Sequence, residues 1–257
     1  MPTRRPRPTR ATYPARVKPF LLLATRADDV AADDEYAAFL RYSGLREDQL
    51  VRHRLEQHPL PRIDLDDWSG FIVGGSPFNV TDREKTAVQR RVEAELADLV
   101  ARVVAADHPF LGACFGVGVL GSLPGGVVDR TFGEPPTSVR LTQTEAGRTD
   151  PLLAGVGEHF HAIVGHKEAC RVLPEGATLL VAGEACPVQM FRIGRNVYAT
   201  QFHPELDADS LAERLRIYAG HGYCEPEEAD ALVAQARAAD VGDVREVLRT
   251  FVARHAR

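Results

Sequence analysis

The apolar pair Phe110-Leu111 runs straight into Gly112-Ala113-Cys114-Phe115-Gly116. A short buried strand that ends in Gly-x-Cys-x-Gly has few ways to continue. The chain bends sharply and a helix begins, and the flanking glycines let the turn close with no side chain in the way. The thiol of Cys114 is left on the bend, above the edge of the sheet that the strand joins. Amides at the start of the new helix favour negative charge there.

The surrounding pattern says what kind of sheet it is. Residues 18–24 read as a first buried strand. Residues 29–42 follow as a helix with Val30, Tyr36, Phe39 and Leu40 on its apolar side. Phe71-Ile72-Val73 is a second core strand and leads into Gly74-Gly75-Ser76-Pro77. Thr81-Asp82-Arg83-Glu84 has the form of a capping box. Val88, Val92, Leu96, Leu99 and Val103 then recur at helical spacing. This alternation predicts a mostly parallel α/β sheet with helices on both faces. Runs at 127–131, 139–142, 160–164, 178–182, 188–193 and 196–202 continue as short strands, with Gly194-Arg195 as a hairpin turn. Leu211, Leu215 and Tyr218 share one helical face. Residues 226–257 read as two helices split near Gly242, with Val244, Val247, Leu248 and Phe251 as a buried stripe.

A cysteine nucleophile needs a base, and the base needs an orienting group. Tyr198-Ala199-Thr200-Gln201-Phe202-His203-Pro204-Glu205 supplies both at the end of another apolar run. Parallel α/β folds place their chemistry at such strand ends. Paired with an imidazolium, the Cys114 thiol is expected to ionise below the free value of ~8.5. His159-Phe160-His161 puts two histidines on one strand face, but nothing joins them at ligand spacing, so no metal is expected.

Bulk properties narrow the classes. With 44% hydrophobic and 26% charged residues over 257 positions, the chain has the balance of a globular protein. A formal net charge of −5 argues against a general nucleic-acid surface. No apolar stretch reaches the ~20 residues of a membrane helix. The four cysteines, Cys114, Cys170, Cys186 and Cys224, form no C-x-x-C pair and read as reduced thiols of a cytoplasmic protein. Arg4, Arg5, Arg7, Arg10 and Arg16, with four prolines and no acid and with Lys18 just beyond, read as a disordered basic tail over 1–17.

Together, Gly112-Ala113-Cys114-Phe115-Gly116 and Gln201-Phe202-His203-Pro204-Glu205 resemble the two signatures of the class I glutamine amidotransferases, about ninety residues apart. Within that family the glutaminase domain of GMP synthase is the nearest in pattern. The resemblance implies a flavodoxin-like three-layer domain over 18–220, with 221–257 as a C-terminal helical extension packed on it. It implies a catalytic triad of Cys114, His203 and Glu205 and an oxyanion hole made by the amides of Ser76 and Phe115. Gly75, Gly165 and His166 would border the substrate, glutamine or another γ-glutamyl compound. No cofactor is implied. Ammonia would pass to a separate synthase partner, because no ATP-pyrophosphatase loop is present.

One position departs from the family pattern. Many members carry Cys-x-Gly-x-Gln, whose glutamine lines the substrate pocket, and here that place is Gly118. Three readings stay open: a glutaminase, a γ-glutamyl peptide or amine hydrolase with the same triad, and a non-catalytic regulatory or binding module.

Overall fold

In a computed structural model of the protein, residues 17–218, 226–238 and 241–257 are described. The basic residues at 1–16, Cys224 and the Tyr218 side chain lie outside them. The chain begins β1 (Phe20–Ala24), α1 (Asp29–Ser43), β2 (Leu50–Arg54), β3 (Gly70–Val73), α2 (Ala87–Ala106), β4 (Phe110–Ala113), α3 (Phe115–Gly121). It continues β5 (Val127–Asp129), β6 (Glu134–Gln143), α4 (Glu145–Thr149), β7 (His159–His166), β8 (Ala169–Val172), β9 (Ala177–Gly183), β10 (Met190–Ile193), β11 (Val197–Thr200). Helices α5 (Ala208–Tyr218), α6 (Ala229–Ala238) and α7 (Glu246–His255) follow.

One sheet runs in the order β2-β1-β3-β4-β11-β10-β9-β6-β7. The first five of these are parallel neighbours, and the remaining pairings are antiparallel. The parallel half has the doubly wound order whose ligands sit beyond the carboxyl ends of the strands, near the point where the order reverses. The antiparallel strands enter between β4 and β11 in sequence and extend the sheet beyond β11. The mixed sheet thus meets the α/β expectation, with more antiparallel pairing than a pure βαβ repeat.

Both faces of the parallel half are covered, which is why its strands are apolar without alternation. Phe20 and Leu22 enter one core with Phe39 and Tyr42 of α1 and Val247, Leu248 and Phe251 of α7. Leu21 and Leu23 enter the other with Val92, Leu96, Leu99 and Val103 of α2. The stripe expected around Phe251 is fully buried. A third cluster joins Leu211 and Leu215 of α5 to Ile163, Val241, Leu232 and Val233.

Local expectations fail in three places. Helix α2 is capped by Thr86, whose side chain accepts from Gln89 N, and not by the Thr81 capping box. Val30 and Val88 face solvent at 60% and 38% exposure, although each fits its helix's apolar spacing. Strands β2 and β8 carry no clear apolar signal, β2 being Leu-Val-Arg-His-Arg on the sheet edge. The hairpin at Gly194 forms, with a three-residue turn whose glycine has φ 60°.

Candidate active site

Cys114 follows β4 with φ 55° and ψ −82°, the backbone of a strained turn. Positive φ in a residue with a Cβ costs of order 1–3 kcal/mol and persists only where the surroundings enforce it. Here the Cys114 amide donates to Thr200 O at 2.7 Å and its carbonyl accepts from Val117 N at 2.9 Å. The turn is so tight that a Cβ built on Gly112 would stand 2.6 Å from Gly116 Cα. Gly112 is therefore required by close backbone approach, whereas a Cβ on Gly116 would meet nothing within 4 Å. Cys114 is half-buried, and its Sγ lies 3.9 Å from Gly165 O.

Strand β11 pairs with β4 in parallel, Thr200 opposite Ala113, so the next segment of each strand leaves the sheet side by side. His203 sits there, 2% exposed, with its amide donating to Ile163 O at 2.9 Å. Its Nδ1 is 2.7 Å from Glu205 Oε1, and Glu205 is fully buried. Behind the pair runs a chain of buried charges. Arg214 of α5 stands 3.7 Å from Glu205 Oε1 and 3.8 Å from Glu35 Oε1 of α1. Arg26, after β1, donates through Nε to the same Glu35 oxygen at 2.8 Å. Charges alternate in sign along Arg26, Glu35, Arg214 and Glu205. Arg26, Glu35 and Arg214 belong to no motif, and sequence reasoning misses them; for Glu35 and Arg214 the signal is an ionisable residue inside an apolar helical stripe, and Arg26, in the loop after β1, carries none.

Electrostatics follow from burial. Burial alone would raise the Glu205 carboxyl, but His203 and the Arg214 charge overrule it and bring it down to about 2. Burial lowers His203, helped by Arg214 and Arg26 and opposed by Glu205. Burial also pushes the Cys114 thiol up to about 12, with Glu205 acting the same way and Arg26 and Arg214 against it. Burial thus raises the thiol and lowers the imidazole, both towards their neutral forms, against the lowered thiol expected from the sequence. No hydrogen bond joins Sγ to the His203 ring among the described residues; the sulfur's contact is Gly165 O.

A cavity of about 420 Å³ opens above Cys114, lined by Ser76, Phe115, Glu134, His166, Glu168 and Gln201 among others. Of the sequence-predicted residues, Ser76, Cys114, Phe115, Gly165 and His166 line it, and His203 and Glu205 lie outside the lining. Phe115 is the first residue of α3, so its amide has no acceptor within the helix. Gly75 lies behind the wall, where an added Cβ would stand 2.7 Å from Arg26 Nη2 and 3.0 Å from His203 Cε1. His166 is engaged on both ring nitrogens, Nδ1 to Glu168 O and Nε2 to Glu134 Oε2, each at 2.9 Å. Its ring thereby supports the cavity wall.

The place of the absent glutamine is filled from across the cleft. A Cβ on Gly118 would stand 2.7 Å from Glu168 Oε1. That carboxylate accepts from Val80 N and Thr81 N, both at 2.9 Å, and from the Thr81 hydroxyl at 2.8 Å. Thr81 therefore serves the loop after β3 and caps no helix. Glu134, His166 and Cys186 bring ligand-type atoms within 4.8 Å of one another. Each already has a protein partner, Cys186 Sγ donating to Val188 O at 3.4 Å.

Comparisons with known proteins bear on the family and the fold. The profile of the family "Glutamine amidotransferase class-I" matches residues 43–215, two thirds of the chain. The chain belongs to the class I glutamine amidotransferases. It is 29% identical over 155 residues to Gamma-glutamyl peptidase 3 of Arabidopsis thaliana, covering 58% of this chain and 59% of that protein. It is 30% identical over 177 residues to a GMP synthase of Porphyromonas gingivalis, covering 63% of this chain and 32% of the other. It is 27% identical over 150 residues to a GMP synthase subunit of Methanocaldococcus jannaschii, covering 58% and 71%. The chain thus spans about 59% and about a third of the first two relatives. A glutamine amidotransferase of Thermotoga maritima shares the fold at TM-score 0.73 and 18% identity, over 92% of this chain and 97% of that one. Among the described residues of this class I amidotransferase, no helix is long and apolar enough to cross a membrane.

Proposed function

We propose that the protein hydrolyses the side-chain amide of glutamine through Cys114, His203 and Glu205 and passes the ammonia to a separate synthase. One observation carries the reading: a strained cysteine at the end of β4 stands beside the β11 end that bears a buried, carboxylate-bound histidine. Cys114 Sγ adds to the γ-carbonyl carbon while its proton passes to His203. The amides of Ser76 and Phe115 receive the oxyanion. The C–N bond breaks as His203 returns the proton to the leaving ammonia. Water then adds to the γ-glutamyl thioester, His203 takes its proton, and glutamate leaves with the thiol restored. Glu205, held ionised, fixes the imidazole throughout. Because thiol and imidazole start neutral, proton transfer accompanies attack. The similarity to a protein named as one subunit of a GMP synthase supports a partner enzyme that consumes the ammonia.

A second reading has its own observation. The cavity of about 420 Å³ leaves more room than a glutamine side chain needs, and one relative is named a γ-glutamyl peptidase. On this reading the leaving group is the amine of a γ-glutamyl peptide or γ-glutamyl amine. Ammonia and glutamate release from glutamine, measured beside amine release from a set of γ-glutamyl dipeptides and amides, separates the two. Turnover of glutamine at least as fast as the dipeptides supports the first. Dipeptide turnover with glutamine inert overturns it in favour of the second. No turnover of either, with Cys114→Ser indistinguishable from the native chain, overturns both.

A further inference from the structure

Gln201 is 1% exposed, yet it lines the cavity above Cys114 and its Oε1 has no hydrogen-bond partner. Leaving a buried carbonyl oxygen unpaired costs about 1–3 kcal/mol, so such a group in a cleft wall points to a donor that arrives with the ligand. Its backbone is fixed, the amide donating to Gln189 O at 2.8 Å. Thr200 pairs with Ala113, so Gln201 and Cys114 lie one residue beyond that pairing, about one strand spacing (~4.8 Å) apart. That is within reach of a γ-glutamyl chain whose carbonyl carbon is at the sulfur. The same cavity is lined by the acids Glu134 and Glu168 and by the bases Arg26 and Lys167, so it carries both signs of charge, as the α-ammonium and α-carboxylate end of a γ-glutamyl substrate requires. Position 118 offers no side chain, and Glu168 holds the space above it.

We infer that the Gln201 carboxamide oxygen accepts a hydrogen bond from the substrate's α-ammonium group, making Gln201 the residue that selects α-amino γ-glutamyl compounds. The inference rests on the hydrolase reading above. It assigns the recognition of the amino-acid end of the substrate to the residue just after β11, away from the cysteine turn.

The test compares glutamine with glutaramate, the same molecule without its α-amino group. The native protein is expected to prefer glutamine in kcat/KM by about 10- to 100-fold, the range of a hydrogen bond to a charged group. In Gln201→Met, an apolar replacement of similar length, that preference is expected to collapse to within about threefold, with the loss in KM more than in kcat. A preference retained in Gln201→Met overturns the inference, as does a native protein that treats the two compounds alike. Gln201→Glu guards against a variant that does not fold: it is expected to keep the preference, and losing it overturns the inference. Titration of Cys114→Ser with each compound reads recognition without turnover. Preferential glutamine binding that depends on Gln201 in a protein that hydrolyses nothing would sink the hydrolase reading and leave this one standing. No binding of either compound sinks both.

Discussion

Gly118 and Glu168 share one volume: a Cβ on the first would lie 2.7 Å from a carboxylate oxygen of the second. Glu168 is tied to Val80 and Thr81 by three hydrogen bonds and is not the free end of a flexible side chain. Gly118→Gln, which restores the family residue, is therefore expected to be harmful here. Overpacking costs about 1–3 kcal/mol, and pushing Glu168 aside moves the loop that carries Ser76. A stability loss of that size, with kcat lowered about tenfold or more, is the expected outcome. Adding Glu168→Ala to Gly118→Gln should recover part of the stability. A double-mutant cycle in urea measures this coupling, and additive effects would show that the two residues do not compete.

The buried carboxylate of Glu35 faces the guanidiniums of both Arg26 and Arg214. Removing one partner from a buried ion network costs about 3–5 kcal/mol, because the remaining charges lose compensation in a dry site. Glu35→Ala is expected to destabilise the protein by that amount in urea unfolding. It is also expected to slow turnover, since Arg214 helps hold Glu205 ionised. A change under about 1 kcal/mol would mean that water enters and solvates the arginines.

The neutral resting pair has a kinetic signature. His203 is lowered from its usual value by burial, so it remains a base below pH 6.5. The acid limb of kcat/KM, which reports the free enzyme, is expected to fall at a pH below 6.5. On the alkaline side the Cys114 thiol is pushed up to about 12. Alkylation of Cys114 by iodoacetamide in the absence of substrate should therefore be slow and rise steadily from pH 6 to 9. A plateau in that range would reveal a standing thiolate and contradict the neutral pair.

Legibility follows chemistry and periodicity. Strands β1, β3, β4 and β11 are readable in the sequence because burial on both faces demands unbroken apolar runs. Cys114, His203 and Glu205 are readable because a nucleophile, a base and a carboxylate carry their requirements in their neighbours. Edge strand β2 is not, since one side of Leu50–Arg54 meets solvent and polar residues serve there. Thr81 misleads because a capping box and a loop hydroxyl bonded to Glu168 look alike until residue 168 is placed beside them. Gln201 stands inside a recognisable motif, but its unpartnered oxygen is a property of the cavity and not of the chain.

Two histidines remote from the cleft are expected to limit the acid tolerance of the fold. His108 is buried against the Phe71 ring at 5.3 Å, with its Nε2 unpartnered. Burial, helped by the Arg257 charge, lowers it to about 4, and burial with the Arg254 charge lowers His255 to about 4. In the unfolded chain both titrate near 6.5. Between those values the unfolded chain binds more protons than the folded one, so stability falls as pH drops from about 6.5 towards 4. Above 6.5 neither histidine contributes to the pH dependence. His108→Phe, which keeps an aromatic ring against Phe71, removes one of the two sites. The native Tm is expected to drop between pH 7 and pH 5, and the drop is expected to be smaller in His108→Phe. Equal drops would show that His108 takes up its proton without unfolding, through a local opening that lets water reach Nε2.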